Sequence, residues 1–173
     1  MFLIAWSPAF RRPPNTVEPP KGRTPNSMRE SFVCKEPEQT FELGERLGSS
    51  LAGGDVILLY GGLGAGKTLL TKGILNALDF NFDEVTSPSF TLVNLYKTAK
   101  FDVYHIDLWR LDGGKDVATA VGLEEILENE NAVTIIEWAD RLGEASFQSN
   151  TIKVTIRGDG DEPRQIKIER DVT

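Results

Sequence analysis

The sequence predicts an α/β fold: a mixed β-sheet flanked by helices, with antiparallel edge strands and a C-terminal hairpin. Three observations carry this. The apolar run Val56-Ile57-Leu58-Leu59-Tyr60 leads directly into Gly61-Gly62-Leu63-Gly64-Ala65-Gly66-Lys67-Thr68 and then into an amphipathic segment, the strand–loop–helix order of a phosphate-binding loop. A second run, Ala132-Val133-Thr134-Ile135-Ile136, reads as a strand buried on both faces. Ile152, Val154 and Ile156, then Ile166 and Ile168, alternate with polar residues on either side of the turn Gly158-Asp159-Gly160-Asp161, the pattern of an antiparallel hairpin.

The remaining elements follow in order. Ser31 to Lys35 reads as a short strand. Pro37 suits a first helical turn, and Thr40, Leu43, Gly44, Leu47 and Leu51 fall on one face of a helix that Gly53-Gly54 is expected to stop. Asp55 to Tyr60 is the strand before the loop, and Thr68 to Leu78 the helix after it, with Leu69, Leu70, Ile74, Leu75 and Leu78 inward. Phe90 to Tyr96 and Phe101 to Trp109 read as two strands joined by the polar turn 97–100. Leu123 to Asn129 reads as a short acidic helix, and the strand at 132–136 ends on Glu137-Trp138.

Composition bounds the function. The chain has 173 residues, one histidine, one cysteine and a net charge of −7. One cysteine allows no disulfide framework, and one histidine no multi-histidine metal site. The acidic balance argues against a stand-alone nucleic-acid binder, which carries a basic footprint. No apolar run approaches the about 20 residues of a membrane-spanning helix, so a cytoplasmic setting is expected. Met1 to Ser27 differs from the rest: it is rich in proline and carries a net +3, leaving −10 for residues 28–173. Residues 1–27 are expected to be disordered or an upstream extension, and residues 28–173 to form one domain.

The octet 61–68 matches G-x-x-x-x-G-K-[ST], which places the domain among P-loop NTPase-like folds. Its glycines let the backbone curl so that Gly62, Leu63, Gly64, Ala65, Gly66, Lys67, Thr68 and Leu69 turn N–H groups toward a polyphosphate, at the positive end of the following helix. Lys67 can reach the β- and γ-phosphates, and the Thr68 hydroxyl can ligate Mg²⁺. Such a loop needs a carboxylate at a neighbouring strand end. Asp107 and Glu137 are the candidates: Asp107 is assigned to Mg²⁺, and Glu137, one carbon longer, to the water that attacks the γ-phosphate, with both kept as possible metal ligands. Thr86-Ser87-Pro88-Ser89-Phe90-Thr91 lies where a γ-phosphate-sensing loop would sit. Trp138, at a strand mouth, is expected to cover the site, and Trp109 to be buried in the core. Arg110 and Arg141 are possible charge stabilisers. No Asn-Lys-x-Asp guanine motif and no Leu-Ser-Gly-Gly signature occur, which disfavours a Ras-like GTPase and a transporter ATPase.

Taken together, Thr40 with Leu43-Gly44, residues 63–68, Thr86 to Val93, Tyr104 to Leu111 and Ile136 to Asp140 resemble the TsaE family, in order and spacing, over roughly residues 31 to 157. Gly62 stands where the family commonly has Asp, Ser89 where it has Thr, Leu95 where a polar residue is usual, and Trp109 where Tyr is commoner. The resemblance implies an ATP-binding protein, with Mg²⁺, whose weak hydrolysis is stimulated by two partners. These are the threonylcarbamoyl transferase subunit (TsaD-like) and its dimerising paralogue (TsaB-like). It implies a role in forming the threonylcarbamoyl group on A37 of ANN-decoding tRNAs, with tRNA met through the complex. The residues by themselves leave open a small-molecule phosphotransferase and a non-hydrolysing nucleotide switch. With no guanine motif, adenine is the expected base, with Thr40 beside it.

Because residues 1–27 offer no core-forming pattern, a chain beginning at Met28 is expected to keep its thermal midpoint and its nucleotide affinity. A midpoint lowered by several degrees in a melting experiment would show that the head packs on the domain.

Overall fold

In the computed structural model, residues 27–171 are described, except 115, 144–146, 148 and 149. The expectation for the proline-rich head lies outside the described residues, apart from its last residue, Ser27, which opens the first strand. Seven strands form one sheet: β1 (Ser27–Cys34), β2 (Val56–Tyr60), β3 (Val93–Lys97), β4 (Asp102–Asp107), β5 (Ala132–Glu137), β6 (Thr151–Arg157) and β7 (Arg164–Asp171). Their order across the sheet is β1-β7-β6-β2-β5-β4-β3. The four strands β6, β2, β5 and β4 run parallel, while β7 pairs antiparallel with β6 and β1, and β3 with β4. The fold is therefore the predicted α/β mixed sheet with antiparallel edges, and β6–β7 is the predicted C-terminal hairpin.

Side-chain alternation divides the core. Ile57, Leu59, Val133, Ile135, Ile152, Val154 and Ile156 face helices α1 (Pro37–Gly48) and α2 (Lys67–Asn76). Val56, Leu58, Ile106 and Ile136 face the other side, where α3 (Asp116–Ala120), α4 (Leu123–Leu127) and a 3-10 turn over Ala139–Leu142 cover the sheet. Each fully buried aliphatic side chain contributes about 1.5–3 kcal/mol of transfer free energy.

Several boundaries differ from expectation, each for a local reason. Helix α1 ends at Gly48, not at Gly53-Gly54, so Leu51 is not part of its face. The last turn tightens there: the Ser50 N–H donates to the Leu47 carbonyl three residues back at 3.0 Å, joined by the Ser50 hydroxyl at 2.7 Å, while the Ser49 N–H and hydroxyl both donate to the Glu45 carbonyl at 2.9 Å. At its start Pro37 occupies the first turn, and the Gln39 side chain accepts the Lys35 and Glu36 N–H groups at 2.6 and 3.2 Å. Strand β3 starts at Val93 rather than Phe90. Leu92 has a φ of +64° and donates to the Pro88 carbonyl at 2.7 Å, so the chain turns before it extends, leaving Phe90 82 % exposed. Helix α3 was not anticipated: of its five residues only Val117 is a buried apolar side chain, so it shows no apolar period, whereas the equally short α4 carries Leu123, Ile126 and Leu127 at helical spacing.

Helices α1 and α2 cross on glycine. A Cβ at Gly44 would lie 2.3 Å from the Leu70 carbonyl oxygen, and one at Gly73 would lie 2.1 Å from that of Phe41. Both obstacles are backbone, so neither can swing aside. Gly73→Ala is therefore expected to destabilise the fold by about 1–3 kcal/mol through overpacking, outweighing the helix-propensity gain of about 0.5–1 kcal/mol. Denaturant titration checks this; an unchanged or raised midpoint would mean that the helices part without cost.

Candidate functional site

The site lies at the carboxyl ends of the parallel strands. Strand β2 ends at Tyr60, the loop 61–66 turns the chain, and α2 starts at Lys67. Gly64 and Gly66 hold φ values of +74° and +104°, conformations that L side chains resist. Gly62 differs: among the described residues a Cβ there meets nothing within 4 Å, so the loop has room for the aspartate that the family resemblance places at this position.

Lys67 is buried, and its Nζ donates to the Gly61 and Gly62 carbonyl oxygens at 2.9 and 2.8 Å. The ammonium also sits 3.8 Å from the centre of the Trp138 ring, a cation–π contact. Desolvation pushes the Lys67 pKa below its ordinary 10.5, opposed by the charges of Glu137, Asp107 and Asp140. The Thr68 hydroxyl donates to Glu137 Oε1 at 2.9 Å, and His105 Nε2 lies 2.8 Å from the same oxygen.

The two carboxylates are placed by register. Asp107 pairs with Glu137 across the parallel strands β4 and β5, so the two side chains emerge next to each other. Asp107 accepts the Ser87 hydroxyl at Oδ2 and the Trp109 N–H at Oδ1, the latter at 2.9 Å. The Ser-Pro segment is held there by Tyr96, whose hydroxyl donates to the Thr86 carbonyl at 3.1 Å and accepts the Thr86 N–H at 3.3 Å. Thus Ser87, Asp107, Glu137, Lys67, Thr68 and Trp138 line one cleft of about 400 Å³, together with Leu63, Ser89, Trp109 and Arg110.

A second cleft, also about 400 Å³, lies on the other side of the loop and shares Gly64, Ala65, Gly66 and Leu69 with the first. Thr40 lines it, buried on α1, with its Cγ2 3.7 Å from where a Gly66 Cβ would stand. The far wall is the β6–β7 turn.

Two features were not read from the sequence. Arg164, at the start of β7, donates from Nε to the Ala65 carbonyl at 3.1 Å and from Nη2 to that of Gly64 at 3.3 Å, while also bonding the Gly160 and Glu162 carbonyls of its own turn. It ties the hairpin to the back of the phosphate loop; the separation of 99 residues leaves no local signal. Trp109 corrects an expectation: it is 38 % exposed, not core, and its ring stacks 4.5 Å from that of Trp138. The apolar run of β4 ends at Asp107, where the Asp107 carboxylate captures the Trp109 N–H and turns the chain outward. Arg141 lies against both indoles, at 5.4 and 5.6 Å, and bonds the Leu111 carbonyl; Arg110 stacks on Phe90 at 4.1 Å.

The donor set suits Mg²⁺. A hydroxyl and two carboxylates are hard oxygen ligands, and Mg²⁺ characteristically takes one or two carboxylates and completes its shell with water and phosphate oxygens. Among the described residues no cluster of three or more His, Cys, Asp or Glu forms a complete protein cage. No helix among them is long and apolar enough to cross a membrane.

The family model described as threonylcarbamoyl adenosine biosynthesis protein TsaE matches residues 34–166. The chain is 37% identical over 120 residues to the tRNA threonylcarbamoyladenosine biosynthesis protein TsaE of a Nostoc species, covering 69% of this chain and 73% of that one. It is 33% identical over 130 residues to the protein of the same name from Bacillus subtilis, covering 75% and 78%. The crystal structure of Bacillus subtilis YdiB superposes with a TM-score of 0.67 at 27% identity, over 86% of this chain and 89% of that one. With the family model spanning most of the chain and relatives above 30% identity covering more than two thirds of it, the chain belongs to the TsaE family.

Proposed function

We propose that this chain binds ATP with Mg²⁺ and hydrolyses it slowly alone and faster with partner subunits, in support of threonylcarbamoyl transfer to N6 of A37 in ANN-decoding tRNAs. The single observation that carries the nucleotide reading is the convergence at the strand ends. A glycine loop, a buried lysine, a helix-start threonine and two register-paired carboxylates meet in one cleft. The tRNA reading rests on the names of the relatives, tRNA threonylcarbamoyladenosine biosynthesis proteins. The partners proposed are a TsaD-like transferase subunit and its TsaB-like paralogue, with tRNA reached through that assembly and the cytoplasm as its setting. Within the described residues no second group beside the cleft suggests carbamoyl-transfer chemistry.

In this reading the nucleotide lies across the loop. The triphosphate takes the cleft of Lys67, Thr68, Asp107 and Glu137, and the adenosine takes the cleft lined by Thr40 and Leu69. Backbone N–H groups of residues 62–69 receive the phosphates. Lys67 exchanges its bonds to the Gly61 and Gly62 carbonyls for phosphate oxygens. Trp138 covers the lysine and keeps bulk water from it. Thr68 and Glu137, already bonded to each other, hold the metal end. This favours Glu137 over Asp107 as the nearer carboxylate, a different division of roles from the one side-chain length suggests. Asp107 joins the site to the Ser87 loop, which is thereby positioned to respond to the γ-phosphate. When bound, Mg²⁺ supplies neutralisation of the phosphate charge. Catalysis of phosphoryl transfer is mainly positioning and electrostatics, which is what this set of side chains provides.

Two outcomes test the reading. Lys67→Ala removes a charge-assisted contact worth about 1.5–3 kcal/mol, so ATP affinity measured by calorimetry should fall about 10- to 100-fold; wild-type affinity would overturn the phosphate assignment. Glu137→Gln keeps the shape and removes the charge. It is expected to keep its Mg²⁺-free ATP affinity, to lose part of the gain that Mg²⁺ gives to binding, and to lose about 10²-fold or more of partner-stimulated phosphate release. Release at the wild-type rate in Glu137→Gln but not in Asp107→Asn would give the leading role to Asp107.

A further inference from the structure

His105 is the sole histidine of the sequence, and the phosphate chemistry above does not call on it. It lies in the middle of β4, fully buried, between Asn94 of β3 and Ile135 of β5 in the sheet register. Its neighbours in the same layer, Val103, Val133, Ile135 and Tyr96, are core residues. An apolar side chain would suit such a position better than an imidazole, because buried polar atoms need partners. Here only half of the need is met. Nδ1 has no hydrogen-bond partner among the described residues, while Nε2 is aimed at Glu137 Oε1 at 2.8 Å.

That pairing defines the ring's job. Taking Glu137 as a carboxylate, which only accepts, assigns the hydrogen to Nε2 as the donor. The Tyr96 ring, 6.1 Å away and tilted by 34°, flanks the imidazole. Glu137 Oε1 thus receives two donors, the Thr68 hydroxyl from α2 and the His105 ring from β4. Among the described residues no donor is bonded to Oε2. A glutamate has three side-chain torsions, and without the histidine a single hydroxyl would hold it.

We propose that His105 is a positioning residue for Glu137: its Nε2–H fixes Oε1, so that the carboxylate is preset with Oε2 left for the ligands of the cleft. The inference rests on the role given to Glu137 under the proposed function. Outer partners of this kind commonly govern metal affinity or activity by about 10- to 100-fold.

The test compares His105→Leu with His105→Gln, whose amide N–H reaches about as far as Nε2, in the full chain. Each is made alone and combined with Glu137→Gln. Phosphate release is measured with Mg²⁺ and both partner subunits, ATP affinity is measured with and without Mg²⁺, and thermal melting reports folding. His105→Leu should lose about 10-fold or more in release while its Mg²⁺-free ATP affinity stays at the wild-type value, and His105→Gln should recover most of the loss. In the Glu137→Gln background, His105→Leu should add nothing, as expected for two residues acting as one unit. If His105→Leu does not fold, His105→Asn replaces it, since its amide stops short of Oε1; loss in Asn with recovery in Gln supports the proposal. Wild-type release in the Leu or Asn variant, equal loss in the Gln variant, or additive losses in the double variant would overturn it. If Glu137→Gln is crippled and His105→Leu is not, only this inference fails. If Glu137→Gln itself has no effect, the reading of Glu137 fails and this one with it.

Discussion

The parallel pairing of β4 with β5 places Asp107 beside Glu137, and the pairing of β2 with β5 brings the phosphate loop to the same edge of the sheet. A slip of one residue in either strand would turn a carboxylate to the opposite face. The apolar residues preceding them make such a slip costly. Val133 and Ile135 belong to the core on the α1/α2 side, and Ile106 and Ile136 to the core on the other. Core packing therefore sets the position of the charged groups. Glu137, which is buried, requires the donors that Thr68 and His105 supply.

The loop is also held from behind and from the side. Arg164 bonds the carbonyls of Gly64 and Ala65, so these oxygens point away from the phosphate cleft and satisfy a cation on the far side. The glycine crossing of α1 and α2 brings Thr40 close to Gly66. The C-terminal hairpin and the first helix are thus more than edge decoration: they form the two walls of the second cleft, with the phosphate loop between it and the first. Held from both sides in this way, the loop is fixed in one conformation, and such preorganisation lowers the ordering cost of any binding there.

What could be read from sequence was whatever is coded contiguously. The phosphate loop occupies eight consecutive residues, and its glycines, lysine and threonine state their roles by spacing. Glu137 and Asp107 were legible because each ends an apolar run. The hairpin was legible because period-2 alternation spans a glycine-rich turn. Groups whose partners are distant in sequence were not legible: Arg164 meets Gly64 from 100 residues away, and nothing near either residue announces it. Trp109 looked like core because an indole after an apolar strand reads the same whether it continues the strand or turns out of it. The early end of α1 was hidden for a related reason, since the chain passes into three-residue turns at Ser50 and Leu51, whose N–H groups donate to the Leu47 and Gly48 carbonyls, before the glycines are reached. Leu92 bends the backbone with a left-handed conformation that its side chain does not predict.

Under the proposed function the cleft is a complete nucleotide site whose turnover depends on other subunits. Phosphate release by the wild-type chain with ATP and Mg²⁺ tests this most directly, measured alone, with the TsaD-like and TsaB-like subunits, and with small metabolites in place of the subunits. Slow release is expected from the chain alone, with clear acceleration only when the two subunits are present together. Acceleration by a metabolite in their absence, or no release under any of these conditions, would contradict it.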